Sequence, residues 1–198
     1  MPQAKLIPAF VPKDQEVFKE VSVEYTNNSR VARVTMNTTG KRLNPLTCDI
    51  TNEMVAAIDE MRSKEDLHVV ILRGADGAFC CGDDLVEMHE GHWGNPNQVM
   101  RRIRYYQEFA QRIEDLDKTT IAVVEGVACG GGLEMTMVCD FVLATKGAVW
   151  GMPEIDNAMT PGWGGTTRLT RIIGRRRTKA VSYTHLRAHE TDSYLVCR

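Results

Sequence analysis

The sequence has no dominant charge: 24 Lys and Arg stand against 26 Asp and Glu, a net charge of −2 over 198 residues. Without a basic face there is no general electrostatic case for a nucleic-acid partner. The run Arg175-Arg176-Arg177 is short enough to read as a solvated helix end. Also missing is any apolar stretch near the ~20 residues that cross a bilayer, so no membrane role is expected. Residues 1–12 carry interior prolines and no continuous apolar segment, and do not read as a secretory signal. The cysteines, at 48, 80, 81, 129, 139 and 197, include no C-x-x-C spacing, and the adjacent Cys80-Cys81 suit neither an ordinary bridge nor a zinc clamp. Reduced, buried thiols in a cytoplasmic or organelle-matrix protein are the simplest account. The G-x-G-x-x-G dinucleotide fingerprint, the Gly-Lys-Ser/Thr of a P-loop and the H-E-x-x-H zinc motif are absent too, so no metal or separate cofactor is expected.

What is present is an ordinary globular composition, 43% hydrophobic and 25% charged, enough to bury a core. Residues 21–26 and 31–37 alternate apolar and polar around Asn27-Asn28-Ser29, a hairpin signal. Thr47 can cap a helix with the stripe Ile50, Met54, Ala57, Ile58 and Met61. A short apolar strand is expected at 69–72 and a turn-rich loop at 74–82. After Pro96 an amphipathic helix follows, with Val99, Ile103, Tyr106, Ala110, Ile113 and Leu116 on one face. Further strands are read at 120–124, 141–145 and 148–150, and helices at 133–139 and 166–173. Strands recurring with helices between them imply an α/β layered fold. No sequence repeat of fixed period is evident.

Two places carry chemistry. The strand at 120–124 runs through Gly126 into Gly130-Gly131-Gly132 and then a helix. Glycines there let a ligand approach the backbone, and the helix start offers unpaired N–H groups suited to an oxyanion. Glu134 follows at once among Leu133, Met135, Met137 and Val138. Burial should raise its pKa and the helix N-terminus should lower it, and the sequence leaves the balance open. A carboxyl so placed serves either catalysis or a structural ion pair. Glu154 follows a strand and Pro153, where a loop or capping role is the plainer reading. His89 and His92, with Trp93, read as a pocket rim or solvated loop, His68 as a strand-edge residue, and Lys41 and Arg42 as an exposed turn.

Four ordered blocks within residues 20–180 resemble the crotonase (enoyl-CoA hydratase/isomerase) superfamily. They are Leu43-Asn44-Pro45-Leu46; Phe79-Cys80-Cys81-Gly82-Asp83-Asp84-Leu85; Val124-Glu125-Gly126 through Gly130-Gly131-Gly132-Leu133-Glu134 to Cys139-Asp140; and Met152-Pro153-Glu154 with Pro161-Gly162-Trp163-Gly164-Gly165-Thr166.

The resemblance implies a superhelix of β-β-α units and an acyl-CoA thioester substrate, with coenzyme A belonging to the substrate. It implies that the backbone N–H groups of Asp83 and Gly131 hold the thioester oxygen, while Glu134 and Glu154 flank one water. Lys41, Arg42, Leu43, Cys81, Asp84, Leu85, Gly130, Pro161 and Gly162 would contact the substrate or its CoA. Both glutamates are typical of hydratases, whereas many double-bond isomerases keep only the second. Isomerase, acyl-CoA hydrolase and noncatalytic CoA-binding or RNA-associated relatives are the alternatives. Asp83 departs from the family's usual alanine, and a carboxylate beside an oxyanion is unwelcome unless it points away.

Three regions are expected: an extension (1–19), a catalytic core (20–181) and a tail (182–198). The tail shows no periodicity and resembles a translated sequencing-adapter junction, so fold reasoning sets it aside, with His185 and His189. Full-length relatives continue into helices that cover the acyl pocket and build a homotrimer, often paired into a hexamer. Without such helices the 198 residues are expected to expose apolar surface and to be poorly soluble or inactive.

Overall fold

In the computed structural model, which describes residues 18–91 and 95–183, the hairpin forms where the alternating pattern puts it. Strands β1 (Val21–Thr26) and β2 (Val31–Met36) pair antiparallel, Val23 opposite Val34. Asn27, Asn28 and Ser29 turn the chain at φ of 53, 55 and 64°, left-handed values that Asn in particular tolerates through local hydrogen bonding. Helix α1 (Cys48–Arg62) starts at Thr47, whose hydroxyl oxygen accepts from the Ile50 N–H at 3.2 Å. Its expected stripe is buried throughout.

β3 (Val69–Gly74) pairs parallel to β2. Helices α2 (Leu85–Gly91) and α3 (Pro96–Glu114) lead from it to β4 (Thr119–Val124). β5 (Val127–Cys129) and α4 (Gly131–Thr136) then lead to β6 (Phe141–Ala144). The main sheet has the order β1-β2-β3-β4-β6, all parallel beyond the first pair. β5 pairs parallel with β7 (Val149–Gly151) in a second, smaller layer. Single bridges, Cys80 to Ala128 and Leu46 to Asp83, extend that layer into the loops at 43–46 and 79–84. A 3-10 turn (Pro153–Asn157), α5 (Gly165–Ile173) and α6 (Arg175–Tyr183) close the described chain. Strand, strand, helix recurs along it, the expected β-β-α superhelix.

One core gathers the inward faces of the main sheet, α1 and α3, including Val34, Met36, Leu72, Phe109 and Trp163. α3 also carries the least expected buried residue. Arg102 is 3% exposed, whereas Ile103, assigned to the apolar face, is only half-buried. Arg102 stays charged inside because Nε donates to the Tyr106 hydroxyl at 2.6 Å and Nη1 to Cys48 Sγ at 3.2 Å, with Glu87 3.8 Å away. The arginine run is exposed at a helix end as expected, opening α6 after Gly174 ends α5. That helix carries Ser182 and Tyr183, two residues into the expected tail. Residues 184–198, with His185 and His189, lie outside the described residues, as do His92 and Trp93.

Candidate active site

The site grows from the contact between the two glycine turns. β5 ends at Cys129, and Gly130 turns the chain into α4 at φ +51°. α4 then lies against the first loop so closely that a Cβ on Gly132 would stand 2.2 Å from the Cys80 carbonyl oxygen. Only glycine allows that approach. From the other side Gly82, at φ +96°, presses on the same turn, where a Cβ would stand 3.0 Å from Cys129 O and 3.4 Å from the Gly131 nitrogen.

Among the described residues, two amides are left over by this arrangement. The bridge between Leu46 and Asp83 uses Leu46 N–H to Gly82 O at 2.8 Å and Asp84 N–H to Leu46 O at 3.1 Å, not the Asp83 N–H. Gly131 opens α4, and the first bond into the helix runs from Glu134 N–H to Gly130 O at 2.9 Å. Its own N–H is one of the donors that a helix start leaves unpaired.

Glu134 faces this region from the first turn of α4 and is 2% exposed. Its Oε1 accepts from the backbone N–H groups of Trp163 at 2.9 Å and Gly165 at 2.6 Å. Burial drives its pKa up to about 8. The Gly165 and Trp163 amides oppose the rise, while Glu154 and Asp83 add to it. The balance left open by the sequence therefore falls to desolvation. Glu154, in the 3-10 turn, reaches back to Gly130, where a Cβ would meet its Oε1 at 3.3 Å. Burial lifts Glu154 to about 7, and neither of its buried carboxyl oxygens has a protein partner among the described residues. Two glutamates 20 positions apart thus meet at one turn, close enough for the charge of one to raise the other.

The sequence model of the enoyl-CoA hydratase/isomerase family matches residues 26–193. The chain belongs to that family. It is 38% identical to the short-chain-enoyl-CoA hydratase of Clostridium acetobutylicum, over 78% of this chain and 58% of that protein. It is 33% identical to the ethylmalonyl-CoA decarboxylase of Danio rerio, over 79% of this chain and 51% of that one. The crystal structure of the enoyl-CoA hydratase from Bacillus anthracis superposes with a TM-score of 0.81 at 34% identity, covering 90% of this chain and 69% of that one. The chain spans about half to three fifths of the length of the curated relatives it matches.

Of the residues expected to contact substrate, some stand at the surface of the two loops and others are engaged within the protein. Leu43 O accepts from Cys81 N–H at 2.9 Å, tying the first two blocks together, and Leu43 and Leu85 are both exposed. Asp84 is committed to structure. It is buried, its Oδ1 accepts from the Glu87 N–H at 2.9 Å as the cap of α2, and its other oxygen takes the Lys41 ammonium. Burial opposes the charge of Asp84, but Lys41 and the Glu87 and Val86 amides outweigh it and hold the carboxyl below its ordinary range. Lys41 is thereby tied to the loop, while Arg42 is exposed. Pro161 is buried, and the Gly162 carbonyl accepts from Gln107 Nε2 at 2.8 Å.

Sequence reasoning left Asn44 and Trp163 without roles. Buried Asn44 stands at φ +50° and donates Nδ2 to Ala75 O at 3.0 Å and Ala78 O at 2.9 Å, bracing the loop that carries Asp83. Trp163 lies over Gly131, where a Cβ would meet its Cε2 at 3.2 Å. It also stacks on Tyr106 at 4.3 Å between ring centroids. An Asn between Leu43 and Pro45 signals a turn in sequence, but its carbonyl partners lie more than thirty residues away.

Proposed function

We propose that the protein is an enoyl-CoA hydratase, adding water syn across the C2=C3 bond of a 2-enoyl-CoA to give the 3-hydroxyacyl-CoA. The observation that carries this reading is the meeting of Glu134 and Glu154 beside the turn that holds the Gly131 amide. In this reading the Asp83 and Gly131 N–H groups bind the thioester oxygen, where charge develops as C2 gains enolate character. The glutamates share one water. Carboxyls lifted to about 7 and about 8 hold a proton between them at neutral pH, as the addition requires. One accepts a proton from water as its oxygen attacks C3, and the other returns one to C2. Their titrations are coupled, so the roles belong to the pair. Arg42 is assigned to the CoA phosphates, and Leu43, Cys81, Leu85, Gly130, Pro161 and Gly162 to the pantetheine and acyl group, with Lys41 and Asp84 holding the loop. The full-length protein is assigned a homotrimeric or hexameric assembly.

Product analysis with crotonyl-CoA and the full-length gene product tests the proposal. The expected product is the 3-hydroxyacyl thioester. A shifted alkene would instead make the enzyme an isomerase, free CoA a hydrolase, and binding without turnover a noncatalytic CoA-binding protein.

A further inference from the structure

Glu134 is held by a loop, and the loop is held by α3. Glu134 Oε1 accepts from the N–H groups of Trp163 at 2.9 Å and Gly165 at 2.6 Å. Both donors lie in Gly162-Trp163-Gly164-Gly165, which leads into α5. Three glycines give this stretch a backbone that outside partners must fix. The Gly164–Gly165 peptide is fixed by the start of α5, where Gly164 O accepts from the N–H groups of Thr167 at 3.1 Å and Arg168 at 2.9 Å. The Gly162–Trp163 peptide lies outside the helix and takes its partner from elsewhere.

No peptide bond among the described residues is cis, so the Gly162 carbonyl points away from the Trp163 N–H. That carbonyl accepts from Gln107 Nε2 at 2.8 Å. One line of hydrogen bonds therefore runs from the Gln107 amide on α3, through a single peptide unit, to the Glu134 carboxyl. Bonds in such a line polarise one another, so a donor on the C=O strengthens the N–H at the other end. The same face of α3 seats the rest of the loop. A Cβ on Gly162 would stand 3.7 Å from Ile103 Cγ1, one turn before Gln107, and Tyr106 stacks on the Trp163 indole at 4.3 Å. Arg168 Nη1 donates to the next carbonyl, Trp163 O, at 2.9 Å, and its Nη2 to Glu114 at the end of α3 at 2.6 Å.

We propose that Gln107 is a positioning residue for Glu134, fixing and polarising the peptide unit whose N–H holds that carboxyl. This rests on reading Glu134 as one of the two proton-managing groups. Gln107 is exposed and bonds the loop, so its influence on the acid passes through the peptide plane. Two amides on Oε1 leave the other carboxyl oxygen of Glu134 to meet the shared water. Its aim depends on both planes, and proton transfer is sensitive to small errors of aim. Without Gln107, the Gly162–Trp163 plane can turn about the glycine before it, and the Trp163 N–H leaves its line to Oε1.

The test is steady-state turnover of crotonyl-CoA by the full-length gene product and its Gln107 variants. Gln107→Met removes the donor from an exposed position at nearly constant length, so the urea midpoint is expected to hold. Its kcat is expected to fall about 5-fold, with KM within about twofold of the parent. Gln107→Lys, which brings back an N–H donor, is expected to recover most of the loss. In a Glu134→Gln background, Gln107→Met is expected to add nothing, because the line of bonds then ends on a group that exchanges no proton. An unchanged kcat in Gln107→Met, or the same loss repeated in the Glu134→Gln background, would overturn the proposal. So would a loss that follows a lowered urea midpoint and is not recovered by lysine. If Glu134→Gln turns over at the parent rate, the reading of the acid itself fails. If Glu134→Gln is impaired while Gln107→Met is not, only the positioning fails.

Discussion

Glu134 occupies a place where two influences oppose each other. The start of α4 and two backbone amides favour its carboxylate, yet its enclosure holds the pKa at about 8. A group ionised at neutral pH in the unfolded chain but protonated in the fold weakens folding above its unfolded pKa. Glu134→Gln keeps an oxygen for the Trp163 and Gly165 amides and removes that penalty. Its expected effect is a higher melting temperature at pH 8, worth on the order of 2 kcal/mol, and little change at pH 4.5, which differential scanning calorimetry at the two pH values measures. Glu134 was legible as a buried acid because apolar residues surround it in sequence. Arg102 was not: a charged position on an amphipathic helix reads as solvated, and its partners Cys48 and Glu87 arrive from other helices.

At the scale of elements, regular periodicity carried the reading and short pieces escaped it. The hairpin, α1 and α3 carry a pattern of two or of three and four, β3 and β4 read as short apolar runs, and all fall close to their expected places. β5, at three residues, is too short to show a period; its pairing with β7 and its bridge to Cys80 depend on distant chain. α2, seven residues long, follows directly on the loop at 79–84, and nothing periodic in sequence marks Asp84 as its cap. α4 begins at Gly131, two residues ahead of its apolar run, because the helix must start where the first loop touches it, and ends at Thr136, before the expected 139. The tightness of that contact makes a prediction. Gly132→Ala forces a methyl against the Cys80 carbonyl oxygen and is expected to destabilise the fold by about 3 kcal/mol. Gly147→Ala, whose Cβ would meet nothing within 4 Å, is expected to stay within about 0.5 kcal/mol of the parent. Urea unfolding of the two variants checks the contrast.

For the molecule as a whole, the clustered acids set the dependence of stability on pH. Asp83, Glu154 and Glu134 are raised to about 6, 7 and 8. In the unfolded chain they titrate near pH 4, so between there and pH 8 the native state binds more protons. Stability therefore falls as pH rises through that window. Asp84 is held low, and its contribution is lost only as pH falls towards its depressed value. Three raised acids against one lowered acid predict greater stability at pH 5 than at pH 8, by at least about 2 kcal/mol, read from urea midpoints at the two pH values. An equal or greater midpoint at pH 8 would mean that these carboxyls are not enclosed together. The same enclosure joins fold to chemistry, because the superhelix brings the two loops of the smaller layer against α4 and so places the acids beside the unpaired amides.

The most direct measurement is the rate at which the conjugated enoyl thioester disappears in the full-length gene product and in its Glu134→Gln and Glu154→Gln variants. A shared water managed by two carboxyls predicts that each substitution lowers kcat by at least about 100-fold, with KM changed far less. Turnover unchanged in both variants would contradict the account.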